Sequence, residues 1–188
     1  ADLRQHLIQG DERLEQLLRL DEWVYEPGLP ANAVVVRSEG FRVVDQQAQA
    51  YALGAPAASL GFPKWSYAQK VRFLNALPRE LPAERLAALD TTFNLSKSTN
   101  SEVLFAWLQL AIANRYEPAV ASLERFLNSM GRRKFVAPLF ETLVAEGDWG
   151  RPIAERIYEK ARSTYHSVTT GTVDQILGEA PEDAEAAA

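Results

Sequence analysis

The chain predicts an all-α fold, a layered α–α superhelix of about eight or nine short helices. Two observations lead there. Apolar residues recur at helical spacing through most of the sequence, and four of the runs are preceded by a helix-start signal: Ser66 with Gln69, Pro82, Thr99 with Glu102, and Pro118. Against this, only "AVVV" at 33–36 has strand composition. No second such run exists to pair with it, and a lone strand is not stable, so it is assigned to loop or edge packing.

The elements follow in order. "DERLEQLLRL" at 11–20 predicts a short helix, and "DEWVYEPGLP" at 21–30 an extended, turning segment carrying Pro27, Gly28 and Pro30. Residues 39–53 predict one helix. Ser66 and Gln69 have the spacing of a capping box before "VRFLNAL". Pro82 stands where a helix can begin, before "AERLAALDTTF". Thr99 and Glu102 have capping-box spacing before "VLFAWLQLAIA", which is apolar nearly all round and is expected at the centre of the core. Pro118 opens the next helix, with Gly131 as its expected C-cap. A cationic helix follows and is expected to end at Gly147. Asp148 is placed to cap the next, which runs through "IAERIYEKARSTYH", and a last helix covers 169–177. Short connections of this kind favour antiparallel helix pairs. Trp23, Trp65, Trp107 and Trp149 are evenly spaced, in the armadillo/HEAT repeat range of roughly 40–47 residues. Their flanks do not match, so the spacing adds little to the helix-pair pattern. The domain reading is a leading helix with a Pro/Gly linker at 1–30, a helical-repeat domain at 31–178 and a disordered acidic tail at 179–188.

Composition removes several function classes. A net charge of −5 argues against general nucleic-acid binding. The chain has no cysteine, and its histidines are His6 and His166. A zinc site of the usual ligand set therefore cannot be built from this chain alone. There is no HExxH, no GxSxG, no phosphate loop and no dinucleotide fingerprint. No run is long enough to span a bilayer, so no membrane partner is expected. The reading is of a soluble protein, with cytoplasmic and periplasmic locations both open. Met130 is the sole methionine, which reads as a chain processed or cut from something longer.

One stretch runs against helix electrostatics. In "MGRRKFVAPLF" at 130–140, Arg132, Arg133 and Lys134 precede the apolar stripe Phe135, Val136, Leu139, Phe140, Leu143 and Val144. The cations stand where the helix dipole leaves partial positive charge, which is unfavourable. The ordinary reading is a solvated helix start paired with acids such as Glu124 or Glu141. The functional reading is an anion site, where backbone N–H groups, guanidinium groups and an ammonium converge on a carboxylate or phosphate. Pro138 lacks an N–H, so the helix is expected to start nearer Val136 or to have an imperfect first turn. His166 reads as a partner for a helix C-terminus or a surface residue, and the hydroxyls of "STYHSVTT" form no catalytic spacing. No catalytic residue is assigned.

Taken together, "WVYEPGLP", "NSEVLFAWLQLAI", "GRRKFVAPLF" and "YEKARSTYHSVT" resemble, in order, the C-terminal helical domain of leukotriene-A(4) hydrolase and its bacterial zinc aminopeptidase relatives. The resemblance runs from about Trp23 to Leu177. It implies an armadillo/HEAT-like helical array that follows a β-domain and a zinc catalytic domain, both absent here. The zinc and the reacting groups would belong to that upstream domain, so this fragment alone is expected to be inactive. The resemblance further implies that a glycine–arginine–x–lysine motif holds the carboxylate end of short peptide substrates. Gly131, Arg132 and Lys134 match it, Arg133 fills the variable position with an extra cation, and Arg132 is the arginine expected to face the cleft. The leading functional reading is thus the C-terminal domain of a zinc aminopeptidase, closing the cleft and binding peptide carboxylates. The competing reading is a stand-alone helical-repeat adaptor for protein segments.

Overall fold

The computed structural model describes residues 2–33 and 38–178. Among these residues there is no strand, and ten α-helices are joined by short 3₁₀ turns. The chain forms two compact units that divide between Ser38 and Glu39.

The first unit has a short π-type turn, Arg4–Ile8, then helices α1 (Glu12–Leu18) and α2 (Leu20–Tyr25). Asp11 starts α1, its carboxylate accepting from the N–H groups of Arg13 and Leu14 at 2.9 and 3.1 Å. Arg4 ties the unit together, donating to Glu15 at 2.5 Å and to Asp21 at 2.7 Å. Arg19, at φ 49°, breaks the chain between α1 and α2. The extended segment expected at 21–30 is therefore helical in its first half, since Asp21–Tyr25 belong to α2. The proline and glycine signals act only after Tyr25. Asn32 closes the unit, donating to the Leu17 carbonyl at 2.8 Å and accepting from the Trp23 indole at 3.0 Å. Val34–Val36 of the strand-like run and the acidic tail lie outside the described residues.

The second unit holds α3 (Glu39–Ala52), α4 (Tyr67–Ala76), α5 (Ala83–Phe93), α6 (Ser101–Ala113), α7 (Val120–Ser129), α8 (Arg133–Ala145), α9 (Gly147–Ala161) and α10 (Ser167–Leu177). Packing pairs run α4 on α6, α6 on α8 and α8 on α10, so these four helices form one layer. Outside it, α3 packs on α4, α9 packs on α8, and α7 packs on α9. This is the layered superhelix that the helix-pair pattern predicts.

α6 is the core helix. Val103, Ala106, Trp107, Leu108, Leu110, Ala111 and Ile112 are all buried. Trp107 is fully buried, yet its indole N–H finds the Ser96 hydroxyl at 2.9 Å. Ser96 in turn donates to Asp90 at 2.7 Å, so burying the tryptophan strands no polar group. The four tryptophans occupy unlike surroundings, from the fully buried Trp107 to Trp23 at 48% exposure, so their even spacing is not a structural repeat.

Several helix ends differ from expectation. Asn100, not Thr99, caps α6, accepting from Glu102 and Val103 N–H groups at 3.0 and 3.1 Å. Both residues suit the position, and the chain uses the one nearer the helix. α7 ends at Met130 in extended conformation, so Gly131 is not a left-handed cap. α8 starts at Arg133 and takes Pro138 inside it, sacrificing one backbone hydrogen bond where buried side chains on both sides hold the helix. Gly147, at φ 54°, makes the sharp passage from α8 to α9, and Asp148 lies in the first turn of α9 without capping it. Gly150 allows the two helices to touch. A Cβ there would lie 2.0 Å from the Leu143 carbonyl oxygen.

Candidate functional site

The cations stand at one edge of the α4–α6–α8–α10 layer. Two contacts and a cleft define that edge. Thr169, in the first turn of α10, donates to the Gly131 carbonyl just before α8 at 3.2 Å. Lys134, in the first turn of α8, donates to Glu102 in the first turn of α6. A cleft of about 340 Å³ is lined by Tyr67 and Lys70 from the start of α4 and by Asn100 and Val103 from the start of α6. The N-termini of all four helices therefore lie along one side of the unit, and their partial positive charges add there.

Arg132 is the N-cap residue of α8, extended at φ −76° and ψ 115°, and its side chain makes no capping bond. Its guanidinium lies 6.0 Å from the centre of the Phe135 ring, and the Lys134 ammonium 5.0 Å from the same ring. Phe135 is buried and wedged edge-on between Phe105 and Phe126, at 5.2 and 5.9 Å. A fixed aromatic ring thus lies within cation–π reach of the charged heads of two exposed side chains, an arrangement worth about 0.5–1 kcal/mol per contact at exposed sites.

The turn before α8 is fixed from the α10 side. The Tyr165 hydroxyl donates to the Leu127 carbonyl at 2.8 Å inside the protein, and the Thr169 contact holds Gly131. Burial pushes the Tyr165 phenol pKa well above its ordinary value, which keeps this donor protonated. His166 caps α10, its Nδ1 accepting from the Val168 N–H at 3.3 Å. The C-terminal role expected for His166 is thus replaced by an N-terminal one. α9 stops at Ala161, a 3₁₀ turn follows, and the histidine opens the next helix instead of closing the last.

Among the described residues the expected ion pairs of these cations with Glu124 or Glu141 do not form. Glu124 binds Lys160 at 2.7 Å and Arg156 at 3.8 Å. Lys134 takes Glu102, and among the described residues Arg132 and Arg133 have no ion-pair partner. Glu102 was expected to cap α6. Because Asn100 holds the cap, the Glu102 carboxylate is free to reach across to α8. Sequence spacing gives no sign of this pair, whose members are 32 positions apart.

Among the described residues no group of three His, Cys, Asp or Glu side chains could hold a metal ion. Nor is any described helix long and apolar enough to cross a membrane. What the edge offers is exposed, partly unpaired positive charge at aligned helix N-termini, suited to an anion.

Comparison with known proteins extends this description. Residues 65–177 match the family model described as leukotriene A4 hydrolase, C-terminal. Leucine aminopeptidase 2 of Ajellomyces capsulatus is 27% identical over 169 residues, covering 84% of this chain and 26% of that protein. Aminopeptidase B of Mus musculus is 25% identical over 173 residues, covering 87% of this chain and 26% of the other. Among solved structures, native yeast LTA4 hydrolase superposes with a TM-score of 0.74 at 24% identity, over 94% of this chain and 31% of that one. The chain thus spans about a quarter of the length of the aminopeptidases it matches.

Proposed function

This chain belongs to the leukotriene A4 hydrolase C-terminal family, and from that premise we propose that it closes the active-site cleft of a parent zinc aminopeptidase and grips the free carboxylate of short peptide substrates. Arg132 is the principal ligand in this reading, assisted by Arg133 and Lys134. The observation that carries it is the N-terminus of α8. An arginine occupies the cap position, no acid neutralises it among the described residues, and its side chain is not spent on capping. A carboxylate docked there would offset the unfavourable meeting of cations with the helix dipole.

The described residues do not fit a zinc site. In this proposal the metal and the groups that act on the scissile bond belong to an upstream catalytic domain, and this chain contributes binding and orientation only. The relatives' names support an aminopeptidase as the parent.

The test compares wild type with Arg132→Ala in the intact parent enzyme. The substrates are a tripeptide with a free carboxylate and the same tripeptide as its amide. Loss of a charge-assisted contact predicts a fall in kcat/KM of about 10- to 150-fold on the acid, with the amide nearly unchanged. An equal fall on both would mean that Arg132 supports the fold and not the substrate.

A further inference from the structure

We propose that Glu102 is a specificity-determining residue of this anion site, acting through Lys134 to weaken the grip on a carboxylate and so let product leave. This rests on the carboxylate-binding reading above. Glu102 and Lys134 come from neighbouring helices and meet at the shared edge, with side chains 36% and 49% exposed. Among the described residues Glu102 is the acid paired to the trio, and the pair takes Lys134 only. Of three cations at the start of α8, one is thereby neutralised and two remain open.

The pair has no evident structural task. α6 is already capped by Asn100, and α6 and α8 are joined where half-buried Phe105 packs on buried Phe135 and through the surrounding apolar core. Exposed pairs of this kind add little to stability. An acid at the mouth of an anion site does have a binding consequence. It repels the incoming carboxylate and competes with it for the lysine donors.

The chemistry of an aminopeptidase gives that weakening a use. Cleavage removes the N-terminal residue, so the remaining peptide keeps the same C-terminal carboxylate. A contact at that end is made equally by substrate and product. Such uniform binding lowers KM without speeding the chemical step, and it holds the product in place. Three open cations would retain the shortened peptide longer than two.

The experiment uses Glu102→Gln, Glu102→Asp and Arg132→Ala in the intact parent enzyme, with the tripeptide acid, its amide, and the dipeptide acid product as inhibitor. Glu102→Gln keeps the shape and removes the charge. It is expected to lower KM for the acid by about two- to fivefold and to tighten inhibition by the dipeptide acid by a similar factor, leaving the amide unchanged. Glu102→Asp keeps the charge and is expected to stay near wild type. A raised KM for the acid in Glu102→Gln overturns the proposal, because Glu102 would then be holding Lys134 in a productive position. Equal changes on acid and amide overturn it as well. Arg132→Ala separates the two levels. If it discriminates acid from amide while Glu102→Gln does not, this proposal alone falls. If it fails to discriminate, the carboxylate site and this proposal fall together.

Discussion

The seam between α9 and α10 and the edge between α6 and α8 each place an acid against a cation from a neighbouring element, and they differ in burial. In the seam, Asp174 is 4% exposed. It accepts from the Tyr158 hydroxyl at 2.5 Å and from Arg162 at 3.3 Å, and Tyr158 also donates to the Thr170 carbonyl at 3.1 Å. At the edge, Glu102 meets Lys134 in water. A buried carboxylate must keep its partners or suffer the full desolvation penalty, so the seam is committed to structure. An exposed pair can exchange partners for water or for a ligand at little cost. The same two chemical types thus become scaffold in one place and adjustable binding charge in the other, and solvent access makes the difference.

Three predictions sharpen this contrast, from the largest effect to the smallest. Gly150→Ala attacks the interior side, where a Cβ meets the Leu143 carbonyl oxygen at 2.0 Å. Backbone must move to admit it, so a loss of about 3 kcal/mol is expected, read as a lower midpoint in urea unfolding. An unchanged midpoint would mean that α8 and α9 are not locked together there.

The buried tyrosines predict a pH dependence. Burial, and for Tyr158 the neighbouring Asp174 as well, raise both phenol pKa values above the ordinary 10.0. The folded state therefore holds these protons more tightly than the unfolded chain. Their contribution to stability is complete below the unfolded value and is lost as pH rises beyond it. Stability followed from about pH 8 to about pH 11 should fall at the alkaline end, and Tyr165→Phe should make that fall shallower. A profile that is the same in both proteins would place the Tyr165 hydroxyl in water.

At the edge, Asn100→Ala should cost about 1 kcal/mol as α6 loses its cap, while Thr99→Ala should cost almost nothing. The reverse ranking in thermal unfolding would restore the Thr99 capping box and return Glu102 to a local role.

Much of the fold was legible in the chain because it depends on near neighbours. The Ser66–Gln69 capping box forms with both of its bonds, since its groups are three residues apart and meet whenever the helix starts there. The all-apolar circumference of α6 required burial on every side, and α6 is the core helix. α2 was hidden by the prolines and glycine that follow it, and Gly131 was misread because a glycine marks a cap only if its φ is positive.

The candidate site divides in the same way. The sequence by itself determined that three cations would stand at the start of α8, because the apolar stripe after them sets where that helix begins. Which cation is paired, what the pair leaves open, and which residues hold the turn were decided only in three dimensions. Glu102 reaches Lys134 across 32 positions, and Tyr165 reaches the Leu127 carbonyl across 38. Helical periodicity extends over a few residues, whereas these meetings depend on how separate helices stack, and that is set by the packing of the whole core.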